Sequence, residues 1–245
     1  MNRRGLEDPA WSDADIVGAV KASIEPHTEQ VPSPPEAAGP GAHGDNPGQT
    51  RIFQRLDTCA AFPYRRDEYL KRALWIVVSR LLFHTTPNRL LAWRRWLLRR
   101  FGAKIAPTVN IRSSARIRHP WLLEMGAYST LADDVEVYNL GPLKIGDHTV
   151  VSQNAHLCNG SHDYRDPSLP LTRPEMTIGS GVWICADAFI GPGVTIGDNT
   201  LVGARAVVTR DLPPGVIAAG NPARTVKDRP MDFAKYPSGG DAGGA

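Results

Sequence analysis

Aliphatic side chains return every six residues between Ile105 and Val208. The hits are Ile105, Ile111, Ile117; Met125, Leu131, Val137; Ile145, Val151, Leu157; Ile178, Ile184, Ile190; Ile196, Val202, Val208. A period of six is neither helical nor the simple alternation of a strand. It predicts a solenoid with three short faces per coil, in which each unit buries its apolar side chain only by stacking on its neighbours. Four residues after each large position comes a smaller one, as at Val109, Ala115, Ser129, Val135, Thr149, Ala155, Val182 and Ala188. Large and small side chains would then alternate in a narrow triangular interior. Glycine often follows the large residue, as at Gly126, Gly146, Gly179 and Gly197, and is expected to permit a tight corner.

The phase slips only after third hexads. Two extra residues fall between Ile117 and Met125, two between Val137 and Ile145, and fifteen between Leu157 and Ile178. All three excursions should therefore leave the prism at one corner. The ladder bounds a solenoid over 105–213 with a loop at 162–177.

The flanks read differently. Residues 1–55 form an acidic arm rich in Pro and Gly, expected to be disordered because it offers few large apolar groups to offset ordering. A short helix near Asp13–Ser23 is weakly signalled. From Asp67 to Arg100, apolar residues at three-to-four spacing predict two helices broken at Pro87, so 61–104 reads as a basic helical cap over the open solenoid end. Its Leu, Trp and Arg content also suits an anionic membrane surface. Residues 214–245 read as a C-terminal extension whose Gly/Ala-rich end, from Ser238, is mobile.

Charge sharpens this division. The chain has 245 residues and a net charge of +3, but residues 1–50 carry three basic and eight acidic side chains. Residues 61–104 carry eleven basic and two acidic ones. No nucleic-acid-binding motif accompanies the basic block. Cys59, Cys158 and Cys185 are too few for a disulfide framework and suit a reducing, cytoplasmic setting, possible contact with the inner membrane face aside. No CxxC pair suggests zinc. Neither a secretory signal nor a spanning apolar run is evident.

The segments "IGDHTVVSQNAHLCNGSH", "IGSGVWICADAFIGPGVTIGDNTLVGARAVVTRDLP" and "AAGNPARTV" resemble the bacterial hexapeptide-repeat acyltransferases. That resemblance, over about Phe101 to Lys227, implies a mainly β fold, a left-handed parallel β-helix, assembled as a homotrimer. "RRFGAKI", "IRSSARIRHPWLLEMG" and "VYNLGPLKIGDHTVVSQNAHLCNGSHDYRDPSLPL" are similar to the colanic-acid-biosynthesis type acetyltransferases of exopolysaccharide pathways, back to about Tyr64. The implied reaction is acetyl-CoA-dependent O-acetylation of a sugar hydroxyl, on a sugar or a lipid-linked oligosaccharide. A small free acceptor (sugar, serine or antibiotic) and a non-catalytic scaffold are the alternatives.

The resemblance assigns His162, at the start of the long excursion, as general base. Imidazole titrates near neutrality and suits proton removal from a hydroxyl during direct transfer in a ternary complex. Asn139 would contact the acceptor or an oxyanion, or else support a turn. Trp183, Ala186, Ala204, Thr209, Arg210, Arg224 and Lys227 match positions that line acetyl-CoA, with the cations at its acidic end. Asp163 and Asp166 could orient His162 or cap turns. No metal is required. His148, His156 and His162 invite comparison with the γ-class carbonic anhydrases, but His156 and His162 stand six residues apart, which departs from that ligand pairing.

Overall fold

The computed structural model describes residues 64–231, together with Gln54, Leu56 and Cys59. The acidic arm apart from Gln54, the short helix near Asp13–Ser23 and the tail from Ser238 lie outside the described residues. The ladder region is a parallel β-solenoid of five coils and the start of a sixth. Its first face pairs Lys104–Ile105, Leu123–Met125, Leu143–Ile145, Met176–Ile178 and Thr195–Ile196 in that order. The second runs from Asn110–Ile111 through Thr130–Leu131, Val150–Val151, Trp183–Ile184 and Leu201–Val202 to Val216–Gly220. Ala223–Asp228 closes that face by pairing antiparallel to Val216–Gly220. The third holds Arg116–Ile117, Glu136–Tyr138, His156–Cys158, Phe189–Ile190 and Val207–Val208.

All fifteen ladder residues are buried. The smaller companions are buried too, and the polar ones among them are satisfied between coils. The Ser129 hydroxyl donates to the Gly146 carbonyl (2.6 Å), Thr149 to Gly179 (2.7 Å) and Thr200 to Pro213 (2.6 Å). A buried hydroxyl left unpaired would cost about 1–3 kcal/mol, so each of these bonds is a condition for a polar residue at a core position.

The corner glycines act differently from expectation. The left-handed backbone falls two residues later, at Tyr128, Asp134, His148, Asn154, Gly181, Asp187, Gly193, Asn199 and Arg205. Gly146 has ordinary φ. It is small because the next coil is close: a Cβ there would lie 2.6 Å from the Ser180 backbone nitrogen. Close approach of successive coils, not turn geometry, selects glycine at this position.

Two helices precede the ladder, α1 (Arg66–Val78), continued by a π-helical turn (Ser79–Phe83), and α2 (Leu91–Arg100). Trp75, Phe83, Leu97 and Leu98 join them to the solenoid core. The first coil has carbonyls with no neighbouring coil to bond them, and the helices supply donors. Arg99 donates to the Ile105 carbonyl, Arg95 to Val109, Arg94 to Ile111, and the Trp75 indole to Ile117 (2.7 Å). The His84 ring nitrogen bonds the Ser113 carbonyl at 2.6 Å. Arg94 is fully buried and also donates to Thr86, Pro87 and Asn88. Part of the positive charge of this block is therefore spent on the solenoid edge, where an unpaired strand would otherwise invite association.

Candidate active site

The three excursions share the corner between the third and first faces. Two residues past each third-hexad core position stand His119, Asn139 and Asn159, all buried. The Asn159 amide accepts from the Gly141 N–H (3.0 Å) and donates to the Gly141 and Pro142 carbonyls. The Asn139 amide accepts from the His119 N–H (3.0 Å) and donates to the His119 carbonyl (2.8 Å). Each side chain imitates a strand neighbour where the slip has interrupted the ladder. Both ends of the Asn139 amide are thus engaged in holding the turn. Of its two expected roles, the geometry carries the structural one.

His119 completes this clamp. Its Nδ1 lies 2.8 Å from the Asn139 carbonyl, so Nδ1 carries the proton and donates. Burial, then the nearby arginines Arg72, Arg173 and Arg118, hold its pKa down at about 4 despite that bond. The ring is neutral at pH 7.

The long excursion leaves as an antiparallel hairpin, Ser161–His162 against Leu171–Thr172. His162 is exposed, and its Nδ1 sits 2.5 Å from the Leu169 carbonyl. A carbonyl can only accept, so in the neutral ring Nδ1 is protonated and Nε2 keeps its lone pair. Leu169 holds that carbonyl in place with φ of 49°, a left-handed conformation a branched side chain rarely adopts. Such strain persists only where surroundings over-determine it. The loop aspartates are occupied elsewhere. Asp163 binds Arg165 through its backbone N–H and guanidinium, and Asp166 accepts from the Ser168 N–H and hydroxyl. Both cap turns; the orienting partner of His162 is a backbone carbonyl.

Beside His162 lies a cavity of about 710 Å³, lined also by Tyr64, Tyr138, Leu140, Leu169 and Arg173. That volume falls within the range of small-molecule sites. Tyr64 forms a wall that sequence reasoning missed. Its ring is held between Arg72 (4.0 Å) and Arg173 (4.2 Å), and Arg173 also pairs with Glu68 of α1 at 3.5 Å. The first turn of α1 is therefore locked to the returning strand of the hairpin. Gly141 lets that strand approach, since a Cβ there would meet the Arg173 carbonyl at 2.5 Å.

The residues expected along acetyl-CoA lie apart from this cavity within one chain. Trp183 projects from the second face, 44% exposed, its indole donating to the Ser152 hydroxyl at 3.0 Å. Ala186 and Ala204 stack on the edge between the second and third faces, linked by the Arg205 N–H to the Ala186 carbonyl (3.0 Å). Thr209 and Arg210 lie on the same edge as the hairpin, beyond Val208. Arg224 and Lys227 sit on the closing strand, paired with Ala219 and Ile217. His156 is half-buried between Tyr138 and Phe189; burial holds its pKa below the ordinary value, and its Nε2 has no partner. Among the described residues no group of three His, Cys, Asp or Glu side chains could hold a metal ion, and no helix is long and apolar enough to cross a membrane.

Comparison with known proteins places this geometry. Residues 175–210 match the family described as bacterial transferase hexapeptide (six repeats). Over 166 residues, covering 68% of this chain and 91% of the relative, the sequence is 43% identical to WcaF of Escherichia coli (strain K12), named as a colanic acid biosynthesis acetyltransferase. The chain belongs to the hexapeptide-repeat acetyltransferases. Among solved members, a maltose O-acetyltransferase from Clostridium difficile 630 superposes with a TM-score of 0.62 at 28% identity, covering 68% of this chain and 90% of that one. A hexapeptide-repeat containing acetyltransferase from Vibrio cholerae O1 biovar eltor, complexed with acetyl coenzyme A, shares the fold at a TM-score of 0.62 and 23% identity, covering 72% of this chain and 96% of that one.

Proposed function

We propose that this acetyltransferase uses acetyl-CoA to O-acetylate a sugar hydroxyl in exopolysaccharide biosynthesis, with His162 as general base. The observation that carries the reading is the hydrogen bond from His162 Nδ1 to the Leu169 carbonyl, on the wall of an acceptor-sized cavity. It fixes the tautomer whose Nε2 can take a hydroxyl proton, and such help is worth ~10²–10⁴-fold. Tyr64 and Tyr138 give the cavity aromatic faces suited to a sugar ring. The naming of WcaF for colanic acid biosynthesis supports a polysaccharide acceptor.

The residues present suit the donor. Ala186 and Ala204 leave a low, regular edge for an extended arm, Trp183 offers an exposed ring, and Arg205, Arg210 and Arg224 are exposed cations for an acidic nucleotide end. Lys227 stands on the same strand as Arg224. When bound, acetyl-CoA would supply an activated thioester; the chain's part is to orient the acceptor and remove its proton. The hairpin and the Ala186–Ala204 edge border opposite sides of the third face. A site joining them would form where copies of the chain meet, which supports a homotrimer.

His162→Ala should abolish turnover with a glycan acceptor while acetyl-CoA still binds in a calorimetric titration. Undiminished turnover would remove His162 as the base. A chain that binds no acetyl-CoA would be a scaffold.

A further inference from the structure

We infer that the exposed face of α1, its π-helical extension and the tryptophan pair of α2 form a docking surface for an anionic lipid bilayer. Leu70, Leu74, Val77 and Leu81 fall at spacings of four, three and four, which on a helix places them in one stripe. Trp75, Ser79 and Phe83, on the other side, are the residues that bury into the solenoid. The stripe therefore points away from the protein, and it is open: Leu70 is 72% exposed, Leu74 54%, Val77 54% and Leu81 64%. A helix needs only one apolar face to join its own core, and this one has two.

The patch continues onto α2. Trp93 and Trp96 stack at 5.0 Å, both solvent-accessible, and the Trp93 indole donates to the Leu82 carbonyl, which joins the pair to the end of the stripe. Arg66 and Lys71 on α1, Arg80 on its π-helical extension, Arg100 on α2 and Arg89 in the turn before α2 are exposed. None of these five caps a carbonyl of the first coil, unlike Arg94, Arg95 and Arg99. The acidic residues of α1 are held by other partners: Asp67 pairs with Arg65, with Lys71 near enough to act on it, and Glu68 pairs with Arg173. Leucine and tryptophan in a stripe, bordered by cations that outnumber the nearby carboxylates, is the pattern that partitions into a negatively charged interface. Charge complementarity thus selects a lipid surface over a second copy of the same cationic face. Tyr64, two residues before α1, walls the His162 cavity, and Glu68 in its first turn pairs with Arg173 of the same wall. Taken with the proposed sugar acetylation, the surface would bring the cavity to an acceptor carried on a lipid; the docking itself does not depend on that reading.

The full-length protein should float with phosphatidylcholine vesicles containing phosphatidylglycerol and not with phosphatidylcholine alone. Added salt should release it. Leu74→Glu with Leu81→Glu should lower vesicle binding by more than about tenfold, with the thermal melt and the solution mass unchanged. Arg66→Ala and Arg80→Ala should each lower it on the order of fivefold. Failure to float at low salt would overturn the inference. So would a changed oligomeric mass in the leucine variant, because the face would then be covered by another copy. Vesicle binding by a His162→Ala protein that has lost turnover would uphold docking independently of catalysis.

Discussion

His119 makes the interior of this protein sensitive to acid, and the size of the effect follows from its position. The ring is buried, donates Nδ1–H to the Asn139 carbonyl and faces Arg72, Arg118 and Arg173, so the folded state holds it neutral with a pKa of about 4. An unfolded chain restores the ordinary value near 6.5. Between these two values the unfolded state binds a proton that the native state refuses. Stability from this residue is therefore complete above pH ~6.5, declines as pH falls, and is lost by pH ~4. The interval of about 2.5 units, at 1.36 kcal/mol per unit, corresponds to about 3 kcal/mol. Urea unfolding of the wild type and of His119→Gln, at one protomer concentration, isolates the term because all other titrations are common to both. The substituted protein should start less stable at neutral pH and then lose about 3 kcal/mol less on acidification. Parallel pH dependences would refute the argument, as would an NMR titration of the His119 ring with a midpoint above 6.

Other substitutions test other parts of the structure. His162→Asn should lower turnover ~10²–10⁴-fold with little change in acetyl-CoA affinity, measured by steady-state kinetics and titration. Arg94→Leu should cost about 3 kcal/mol in chemical unfolding, because carbonyls of Ile111, Pro87 and Asn88 lose a buried donor. Gly146→Ala should destabilise by about 1–3 kcal/mol, while Gly191→Ala, whose nearest neighbour stands at 3.1 Å, should be milder in the same assay.

The solenoid was legible because its signal is repetitive: fifteen core positions keep one spacing, and every slip adds to the same corner. What escaped the sequence depends on contacts between coils or between distant segments. Glycine after the large residue looks like a turn residue, yet Gly146 is dictated by the next coil's backbone. Asn139 looks like a polar group near a reaction centre, and only its two bonds to His119 show it holding a turn. A constant offset of two residues past the third hexad would have grouped it with His119 and Asn159. Tyr64 carried no such signal, because α1 brings it to the His162 cavity across almost a hundred residues of chain. The arginines of α2 read as surface charge until their carbonyl partners on the first coil are seen.

Stacked coils also make the solenoid a ruler. Neighbouring strands repeat at about 4.8 Å, so lengths along the axis change only in whole steps. On the second face three steps separate Val150–Val151, in the coil that ends at the hairpin, from Val216–Gly220, and a fourth reaches the strand bearing Arg224 and Lys227. The axial offset is therefore about 14–19 Å. Inserting one eighteen-residue coil between Val194 and Thr195 would extend it by one graduation while leaving His162, Leu169 and the asparagine clamps untouched. Reach and chemistry are encoded in separable stretches of sequence, and one can be lengthened without rewriting the other.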